Sequence, residues 1–426
     1  MKFHITSDKK FILLLVIFIL YCSRIAMAAE NPVSVLPAEI KSSPAKPPEK
    51  APPQVVSSPE KLNRNAIGCV LPLSGQYSDW GNKALDAVRL SAGIFNKENK
   101  TAWEIIAEDS QGMPEKIKAA IASLANDKHV MAIISITETA EALDAAREAN
   151  KWKVPLILIT SKEGVTSAGE YVFQHFLTPT QQIRALVRYS LDDLNCAIFS
   201  ILYPKDDYGE EMVKIFRNEV TSAGGKVEKA IPYGVKQTDF ANEISKLAGH
   251  VIKAPSKTKT DKNDDQEPAP VDFEALFIPD SYSRVKMIVS QLNFYNVKGF
   301  NLLGTSLWNS PGLLKNGAEY LEGAVFTDSF SKDGFYPETN NFVDDYRAAY
   351  KREPENIEAL AFDTAGIIFT ILGNQDVKTR QDFAANLIKL GIYNGATGSI
   401  YFDSDRVSQK TAFILRIKDG KLEQAK

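Results

Sequence analysis

AIGCVLPLSGQYSDWG, residues 66–81, is the stretch that indicates the fold class. Its first six residues form an unbroken apolar run, as in a strand of a parallel sheet that is buried on both faces. Ser74 and Gly75 then predict a tight turn, which exposes Trp80 just before a predicted helix at residues 81–96. A buried strand, a turn and a helix in this order are typical of α/β proteins.

The same alternation continues along the chain in two successive runs of short apolar strands and longer amphipathic helices. The predicted strands lie at residues 66–71, 103–107, 131–135 and 155–159 in the first run, and at residues 196–203, 226–233, 275–278 and 301–304 in the second. Each run predicts one open, mostly parallel sheet flanked by helices. Two such runs indicate two lobes, with a ligand cleft where the carboxyl ends of their strands face each other.

The first 28 residues have the composition of a signal peptide. Three lysines precede an apolar run at residues 11–21, and the small residues required for cleavage are present in AMA at residues 26–28. The run is shorter than the roughly 20 residues of a membrane span, so we expect cleavage after residue 28 and a periplasmic mature protein without a span. An uncleaved anchor is the alternative. A lipid on Cys22 is disfavoured, because the bulky Tyr21 stands where a lipobox requires a small residue.

Charge and cysteine content exclude two classes of protein. Removal of the first 28 residues takes away four basic residues and one acidic residue, so the formal charge changes from −3 to −6. A mildly acidic chain of this kind has no basic surface for nucleic acid. Cys69 and Cys196 then remain, in predicted strands far apart in the sequence. We expect both to be core residues and not to form a disulfide, so the chain is not a disulfide-stapled scaffold.

Two segments lack the pattern of folded elements. Residues 29–65 contain eight prolines among charged and small polar residues, and such a composition cannot bury enough apolar surface to offset its chain entropy. We expect a semi-extended tether there. Residues 254–271 are strongly polar and interrupt the second run, which predicts a solvated surface loop.

Six motifs in order resemble the type I periplasmic binding proteins, the branched-chain amino acid receptor family with the leucine-binding protein domain. They are LPLSGQYSDWG (71–81), VPLILITS (154–161), YPKDDYGEEM (203–212), AGGKV (223–227), TDF (238–240) and GATGSIYFDSD (395–405). The resemblance implies a two-lobed fold with three hinge crossings. It places residues 66–177 and 330–397 in lobe 1, and residues 178–329 and 398–426 in lobe 2.

Five candidate ligand-binding residues follow strands of lobe 1. The resemblance implies that Trp80 walls the pocket, although packing beneath the helix would equally account for an aromatic residue there. Thr137 and Thr139 flank the start of a helix predicted from residue 138, where hydroxyls and free backbone N–H groups suit a carboxylate or another anion. Ordinary helix capping explains these threonines equally well. Thr160 and Ser161 end the next strand at the same edge.

Three further candidates belong to lobe 2, where the sequence departs from the amino acid receptors. The resemblance implies that Tyr208 offers an aromatic ring to the ligand. Ser281 stands near the place of a tyrosine of the family, and Ser306 replaces the acidic residue that pairs with the ligand's ammonium. A buried ammonium without a carboxylate costs several kcal/mol, which argues against a branched-chain amino acid. Asp280 or Asp328 could take the place of the missing acid.

Taken together, these features favour a periplasmic solute-binding protein for an amino-acid-like or other small polar ligand, serving an ABC importer. The alternative is an interaction protein. A protein of this fold with a proline-rich tether and without the acid in its pocket resembles the activators of penicillin-binding proteins, whose partner is a cell-wall synthase. We expect no enzyme, since the sequence has no nucleophile elbow, zinc-protease motif, Walker loop or dinucleotide fingerprint. The three histidines beyond residue 28 are too dispersed to suggest a metal site, so no metal or other cofactor is expected.

Overall fold

The structure is a computed structural model that describes residues 62–95, 103–252, 270–315 and 318–426. The predicted signal peptide, most of the predicted tether and nearly all of the predicted polar loop lie outside the described residues. The first strand begins at Asn63, so the last residues assigned to the tether belong to the sheet. Asn63 is in register with Val130 of a neighbouring strand, and the side chain of Arg64 donates hydrogen bonds to the carbonyl oxygens of Leu372 and Val377.

Five parallel strands form the first sheet. They are β1 (Asn63–Leu71), β2 (Glu104–Asp109), β3 (Val130–Ile136), β4 (Leu156–Ile159) and β5 (Val172–Gln174). The connecting helices are α1 (Ser78–Ser91), α2 (Pro114–Ala122) and α3 (Ala142–Lys151). The strand order is β2-β1-β3-β4-β5, and the side chains of β1 alternate between two apolar cores, one on each face. We call this sheet and its helices lobe 1.

A second sheet follows, with seven strands in the order β15-β14-β10-β9-β8-β6-β7. Its first strands are β6 (Ile198–Pro204), β7 (Lys226–Tyr233), β8 (Ala275–Phe277), β9 (Asn301–Gly304) and β10 (Val325–Asp328), which are parallel. The helices are α4 (Pro179–Asp192), α5 (Asp207–Ser222), α6 (Ala241–Ala248) and α7 (Tyr282–Phe294). Two apolar cores again cover the faces of the sheet. This sheet and its helices form lobe 2.

The chain then returns to lobe 1 and crosses once more to lobe 2. The remaining elements are α8 (Pro337–Tyr350), α9 (Asn356–Gly373), α10 (Arg380–Lys389), β11 (Tyr393–Gly395), β12 (Gly398–Phe402), β13 (Ser408–Lys410), β14 (Phe413–Lys418) and β15 (Lys421–Gln424). Helices α8 to α10 pack on the core of lobe 1, whereas β14 pairs antiparallel with β10 and β15. The two-lobed α/β architecture predicted from the sequence is confirmed, and the chain passes between the sheets three times.

The third crossing lies later in the chain than the sequence suggested. Residues 398–410 were assigned to lobe 2, but β11, β12 and β13 form a small antiparallel sheet whose Ile400 and Phe402 belong to the core of lobe 1. Val407 forms a bridge with Gln174 at the end of β5. Alternating burial along β12 places its apolar residues against lobe 1, so the chain crosses between β13 and β14.

Two sequence features have clear places in the core. Cys69 and Cys196 are both buried, which confirms them as core residues. Helix α9 is the one helix of the described residues that is long and apolar enough to cross a membrane, but 67% of it is buried inside the protein. It packs beside α1 and contributes Ala361, Ala365 and Ile368 to the lobe 1 core, so its apolar composition is explained by tertiary packing.

Candidate functional site

The candidate residues of lobe 1 lie where β1, β3 and β4 end, at one edge of the sheet. The turn after β1 is held in place by Asp109, at the end of the neighbouring β2. Its carboxylate accepts hydrogen bonds from the backbone N–H groups of Leu73 (2.9 Å) and Ser74 (3.2 Å), from the Ser74 hydroxyl (2.5 Å) and from the Gln111 N–H (3.0 Å). Desolvation opposes ionisation, but these hydrogen bonds outweigh it and lower the pKa of Asp109 to about 2.

Trp80 lies in the first turn of α1 and is 49% exposed, so its indole is not packed beneath the helix. It stacks on Tyr77, with ring centroids 5.8 Å apart and an angle of 29° between the planes. Glu138, in the turn between β3 and α3, raises the pKa of the Tyr77 hydroxyl. A side chain on Gly81 would bring Cβ to 2.1 Å from the carbonyl oxygen of Pro72. Glycine therefore lets α1 start close against the end of β1.

The turn between β3 and α3 differs from the sequence prediction. The helix was predicted from residue 138, but α3 begins at Ala142, and residues 138–141 form a turn. Thr137 is buried and its hydroxyl has no hydrogen-bond partner among the described residues, whereas Thr139 is exposed. The carboxylates of Glu138 and Glu141 stand in this turn, where their charge opposes the binding of an anion.

Thr160 and Ser161 follow β4 at the same edge of the sheet. Thr160 is buried, its hydroxyl accepts a hydrogen bond from the Lys162 N–H (3.3 Å), and its carbonyl oxygen accepts one from Gln174 Nε2 (2.8 Å). Ser161 is exposed. The hydrogen bonds of Thr160 stabilise the end of the strand, which leaves Ser161 as the more accessible of the two residues.

In lobe 2, Tyr208 lies in the first turn of α5, directly after β6. The Asp206 carboxylate caps this helix by accepting a hydrogen bond from the Gly209 N–H (2.8 Å). A Cβ on Gly209 would lie 1.9 Å from the Pro204 carbonyl oxygen. Tyr208 is partly buried, burial raises its pKa to about 12, and its hydroxyl lies 3.4 Å from the Thr305 hydroxyl after β9.

Ser281 and Ser306 lie at the ends of β8 and β9. The backbone N–H of Ser281 donates to Asp280 Oδ1 (2.6 Å), and its hydroxyl is 3.2 Å from that of Ser283. The N–H of Ser306 donates to Gln182 Oε1 of α4 (3.3 Å). Both serines are partly exposed, so their hydroxyls remain accessible at this edge of the sheet.

The two acids that could replace the missing carboxylate are already engaged by protein donors. Asp280 accepts hydrogen bonds from the Tyr233 hydroxyl (2.6 Å) and the Ser281 N–H. Asp328 is buried and accepts from Asn309 Nδ2 (2.8 Å), Asn356 Nδ2 (2.6 Å) and the Ser329 N–H (2.6 Å). Burial raises the pKa of Asp328 to about 7.

Asp328 has a structural role because of where its donors come from. Asn309 belongs to the turn after β9 in lobe 2, whereas Asn356 opens α9 of lobe 1. The buried carboxylate therefore ties the two lobes together at the second crossing.

A second buried polar cluster lies between the first and third crossings. The hydroxyl of Thr364 is 2.8 Å from His175 Nδ1, and Lys410 Nζ is 2.9 Å from His175 Nε2 and bonded to the Thr397 hydroxyl. Burial lowers the pKa of Lys410 to about 7 and lowers that of His175 well below its usual value. These contacts fix the start of one crossing relative to the start of another.

The structure brings the eight sequence candidates together as two groups. Trp80, Thr137, Thr139, Thr160 and Ser161 share the carboxyl edge of the first sheet, and Tyr208, Ser281 and Ser306 share that of the second. Sequence reasoning missed Tyr77, Asp109, Glu141 and Thr305. A polar residue at the end of a strand, as at Asp109, was the available signal. No group of three or more His, Cys, Asp or Glu residues that could hold a metal ion occurs in the part of the chain that the structure describes.

Comparisons with known proteins agree with this fold. A family model described as periplasmic binding protein matches residues 66–421. A search of curated proteins gives no significant match.

Many solved structures are similar. The substrate-binding protein LivJ of a branched-chain amino acid transporter from Streptococcus pneumoniae, solved with isoleucine, is 22% identical with a TM-score of 0.62, covering 84% of this chain and 97% of that chain. A leucine-binding protein, LivK, from Thermotoga maritima is 21% identical with a TM-score of 0.63, covering 85% and 97%. A solute-binding protein of an ABC transporter from R. palustris, solved with benzoate, is 17% identical with a TM-score of 0.59, covering 85% and 95%. At these identities the similarity shows the fold.

Proposed function

The chain belongs to the periplasmic binding protein family, and from this premise we propose that it is a periplasmic solute receptor that holds a small polar ligand between its two lobes. Its partner in this proposal is the permease of an ABC importer. Members of the family bind solutes, and the solved structures of similar fold include a receptor solved with isoleucine and another solved with benzoate. The protein is proposed to act by binding and release, not by catalysis.

The observation that carries the proposal is the state of Trp80. A large indole that is 49% exposed contributes little to folding. Thr137, whose buried hydroxyl is without a partner among the described residues, follows β3 at the same edge of the sheet. Tyr208 lies at the corresponding edge of the lobe 2 sheet, in the first turn of α5, and like Trp80 it is followed by a glycine. Two aromatic rings can enclose the apolar part of a ligand, while hydroxyl groups bind its polar end.

Ligand-driven closure gives the proposed mechanism. Three crossings connect the lobes, and a ligand that contacts both lobes only when they are closed binds that state more tightly. Its differential affinity then shifts the population towards closure. Trp80, Thr137, Thr139, Thr160 and Ser161 are the proposed contacts from lobe 1, and Tyr208, Ser281 and Ser306 are those from lobe 2.

Calorimetry on Trp80→Ala tests the proposed pocket. Ligands are first found by thermal-shift screening of residues 29–426 against amino acids, aromatic acids, amines and short peptides. Trp80→Ala should then weaken the binding free energy of the tightest ligand by about 1 to 3 kcal/mol, the scale of a lost aromatic contact. Tyr401→Ala is the matched control, because Tyr401 is similarly exposed (47%) but lies on the small third sheet. Saturable binding that Trp80→Ala leaves unchanged would place the pocket elsewhere.

The second candidate function is that of an interaction protein of cell-wall synthesis. The engagement of Asp280 and Asp328 by protein donors favours it, because neither carboxylate is then open to the ammonium of an amino acid. Pull-down with the protein beginning at residue 29 distinguishes the two functions. Capture of a purified wall synthase, together with no binding of any screened solute, would replace the receptor function by this one.

A further inference from the structure

Two buried polar atoms without hydrogen-bond partners lie in the turn between β3 and α3. They are the hydroxyl oxygen of Thr137, a residue that is only 8% exposed, and Oε2 of Glu141. Four other side chains of the described residues have such an atom, and they lie on separate elements, whereas these two share one turn. A buried polar atom left unpaired costs about 1 to 3 kcal/mol, so a turn with two of them is arranged for a donor that comes from outside the chain.

The surroundings of this turn show which kind of donor fits. Glu138 adjoins Thr137 in the chain, and Glu138 and Glu141 both raise the pKa of the Tyr77 hydroxyl. Both carboxylates therefore lie near the stacked rings of Tyr77 and Trp80. Carboxylates accept hydrogen bonds and attract cations, and the face of an exposed indole also favours a cation.

Basic side chains on the adjacent helices are committed to other acids. Lys83 of α1 is 2.7 Å from Asp79 and 3.1 Å from Glu355. Lys118 of α2 is 3.2 Å from Glu115 and 3.3 Å from Asp144. These ion pairs hold both lysines against acids other than Glu141.

We infer that lobe 1 binds the cationic end of the ligand, and that the ligand class is small amines with an apolar or aromatic substituent. Glu141 and Thr137 accept the hydrogens of the ammonium group, and Trp80 covers the adjoining carbon atoms. This inference rests on the proposed receptor function and deepens it. It reverses the polarity expected from the sequence, which placed a carboxylate at this turn. It also explains why lobe 2 has Ser306 in place of an acid, since the ammonium group would be hydrogen bonded by residues of lobe 1.

A ligand series on the wild-type protein tests the inference directly. L-leucine amide, L-leucine and 4-methylpentanoate share one apolar group but carry a cation, both charges and an anion, respectively. Benzylamine and benzoate form a second pair. Calorimetry at pH 7 should show that each cation binds at least about tenfold more tightly than the matching anion, the scale of a charge-assisted hydrogen bond. Tighter binding of the anion or the zwitterion would overturn the inference and leave the receptor function standing.

Variants of Glu141 assign the preference to this turn. Glu141→Gln should lose about tenfold or more in affinity for L-leucine amide, while Glu141→Asp should retain part of it. Glu104→Gln is the matched control, because this substitution changes the charge by the same amount at an exposed residue at the opposite end of the same sheet. Equal loss in both variants, or no loss in Glu141→Gln, would overturn the assignment.

The same experiments separate failure of the inference from failure of the receptor function. If Glu141→Gln does not fold, as judged by circular dichroism, the wild-type series and Glu141→Asp still decide between the ligand classes. If none of the five compounds and no member of the wider screening set binds the wild-type protein, the receptor function itself fails and the inference fails with it.

Discussion

The turn after β1 in lobe 1 and the turn after β6 in lobe 2 both lead into a helix through an aromatic residue and a glycine, but the two aromatic side chains differ in burial and in contacts. In lobe 1 the sequence Trp80-Gly81 opens α1, and in lobe 2 Tyr208-Gly209 opens α5. Trp80 is half exposed and stacks only on a neighbour in its own turn, Tyr77. Tyr208 is partly buried and its hydroxyl reaches Thr305, at the end of another strand.

The difference separates two roles in such a turn. The glycine determines the backbone, because in both lobes the position of a Cβ is occupied by a proline carbonyl oxygen. The neighbouring strand end determines what the aromatic side chain can do. Lobe 2 supplies a hydroxyl partner to its tyrosine. In lobe 1 the tryptophan stacks on Tyr77, whose pKa is raised by Glu138 and Glu141.

The largest effect is expected from removing what the two turns share. Gly81→Ala and Gly209→Ala should each lower the free energy of unfolding by about 3 kcal/mol or more, because the new methyl group collides with backbone that cannot move without shifting the strand. Urea denaturation measures the loss. Gly373→Ala is the control: nothing lies within 4 Å of its Cβ position at the end of α9, so we expect a change of about 1 kcal/mol or less. Tolerance of alanine at either turn would break the comparison.

The next largest effect is a dependence of stability on pH, which should have opposite signs for Asp328 of lobe 2 and Asp109 of lobe 1. The pKa of Asp328 is raised to about 7 in the folded protein. Its contribution to stability is therefore fully present below the unfolded pKa near 4 and is lost as the pH rises to 7. Asp328→Asn should remove a decline of roughly 2 kcal/mol in the free energy of unfolding over this range. Denaturant titrations at pH 4.5 and 7.5 measure it, and parallel pH profiles for the two proteins would refute it.

Asp109 should show the opposite dependence on pH, with a smaller magnitude. Its pKa is lowered to about 2, so the stability it contributes is present above pH 4 and is lost as the pH falls towards 2. Asp109→Asn should cost about 1 to 2 kcal/mol at pH 7, the net value of its hydrogen bonds at a solvent-screened site. Thermal unfolding at pH 7 and pH 2.5 is the measurement. A gap between wild type and variant that persists at the lower pH would contradict the assigned role.

The smallest effect concerns the contact that distinguishes the two turns. Tyr208→Phe removes a hydroxyl contact of 3.4 Å, a long and weak hydrogen bond, so the free energy of unfolding should fall by about 0.5 kcal/mol or less. Urea denaturation beside Thr305→Val tests it. A loss above about 1.5 kcal/mol in Tyr208→Phe would show that this hydroxyl holds the turn and does not merely fill space.

Most of the fold could be predicted because its elements are locally encoded. The eight predicted strands are present with ends shifted by only a few residues. Most of them are buried parallel strands, which have a largely apolar sequence. Strands β5, β10, β14 and β15 and the third sheet were not predicted. Three of these strands, β5, β11 and β13, have only three residues each, which carry too little pattern. The same sheet explains the misplaced crossing: only its packing on β5 shows that residues 398–410 belong to lobe 1.

The candidate site was predicted less completely, because its geometry depends on contacts between distant segments. Asp109 fixes a turn 35 residues earlier in the chain, and no local pattern indicates that pairing. The start of α3 was placed too early because Thr137 and Thr139 resemble capping residues. The structure instead puts a turn with two glutamates there, which changes the chemistry expected of the ligand. Whether the eight candidates contact a ligand stays a prediction.

The topology of the second sheet also sets an order of assembly during synthesis. All strands of the first sheet lie between Asn63 and Gln174, so they are available early in a chain that emerges from its amino terminus. In the second sheet, β10 must wait for β14, which begins at Phe413, after the chain has passed through lobe 1 and back. Until then the backbone N–H and C=O groups along one edge of β10 are unpaired, in a strand that contains the apolar residues Val325 and Phe326. A nascent chain therefore depends on its last strands to protect that edge, and a chain that stops before residue 413 exposes a strand prone to pair with other chains.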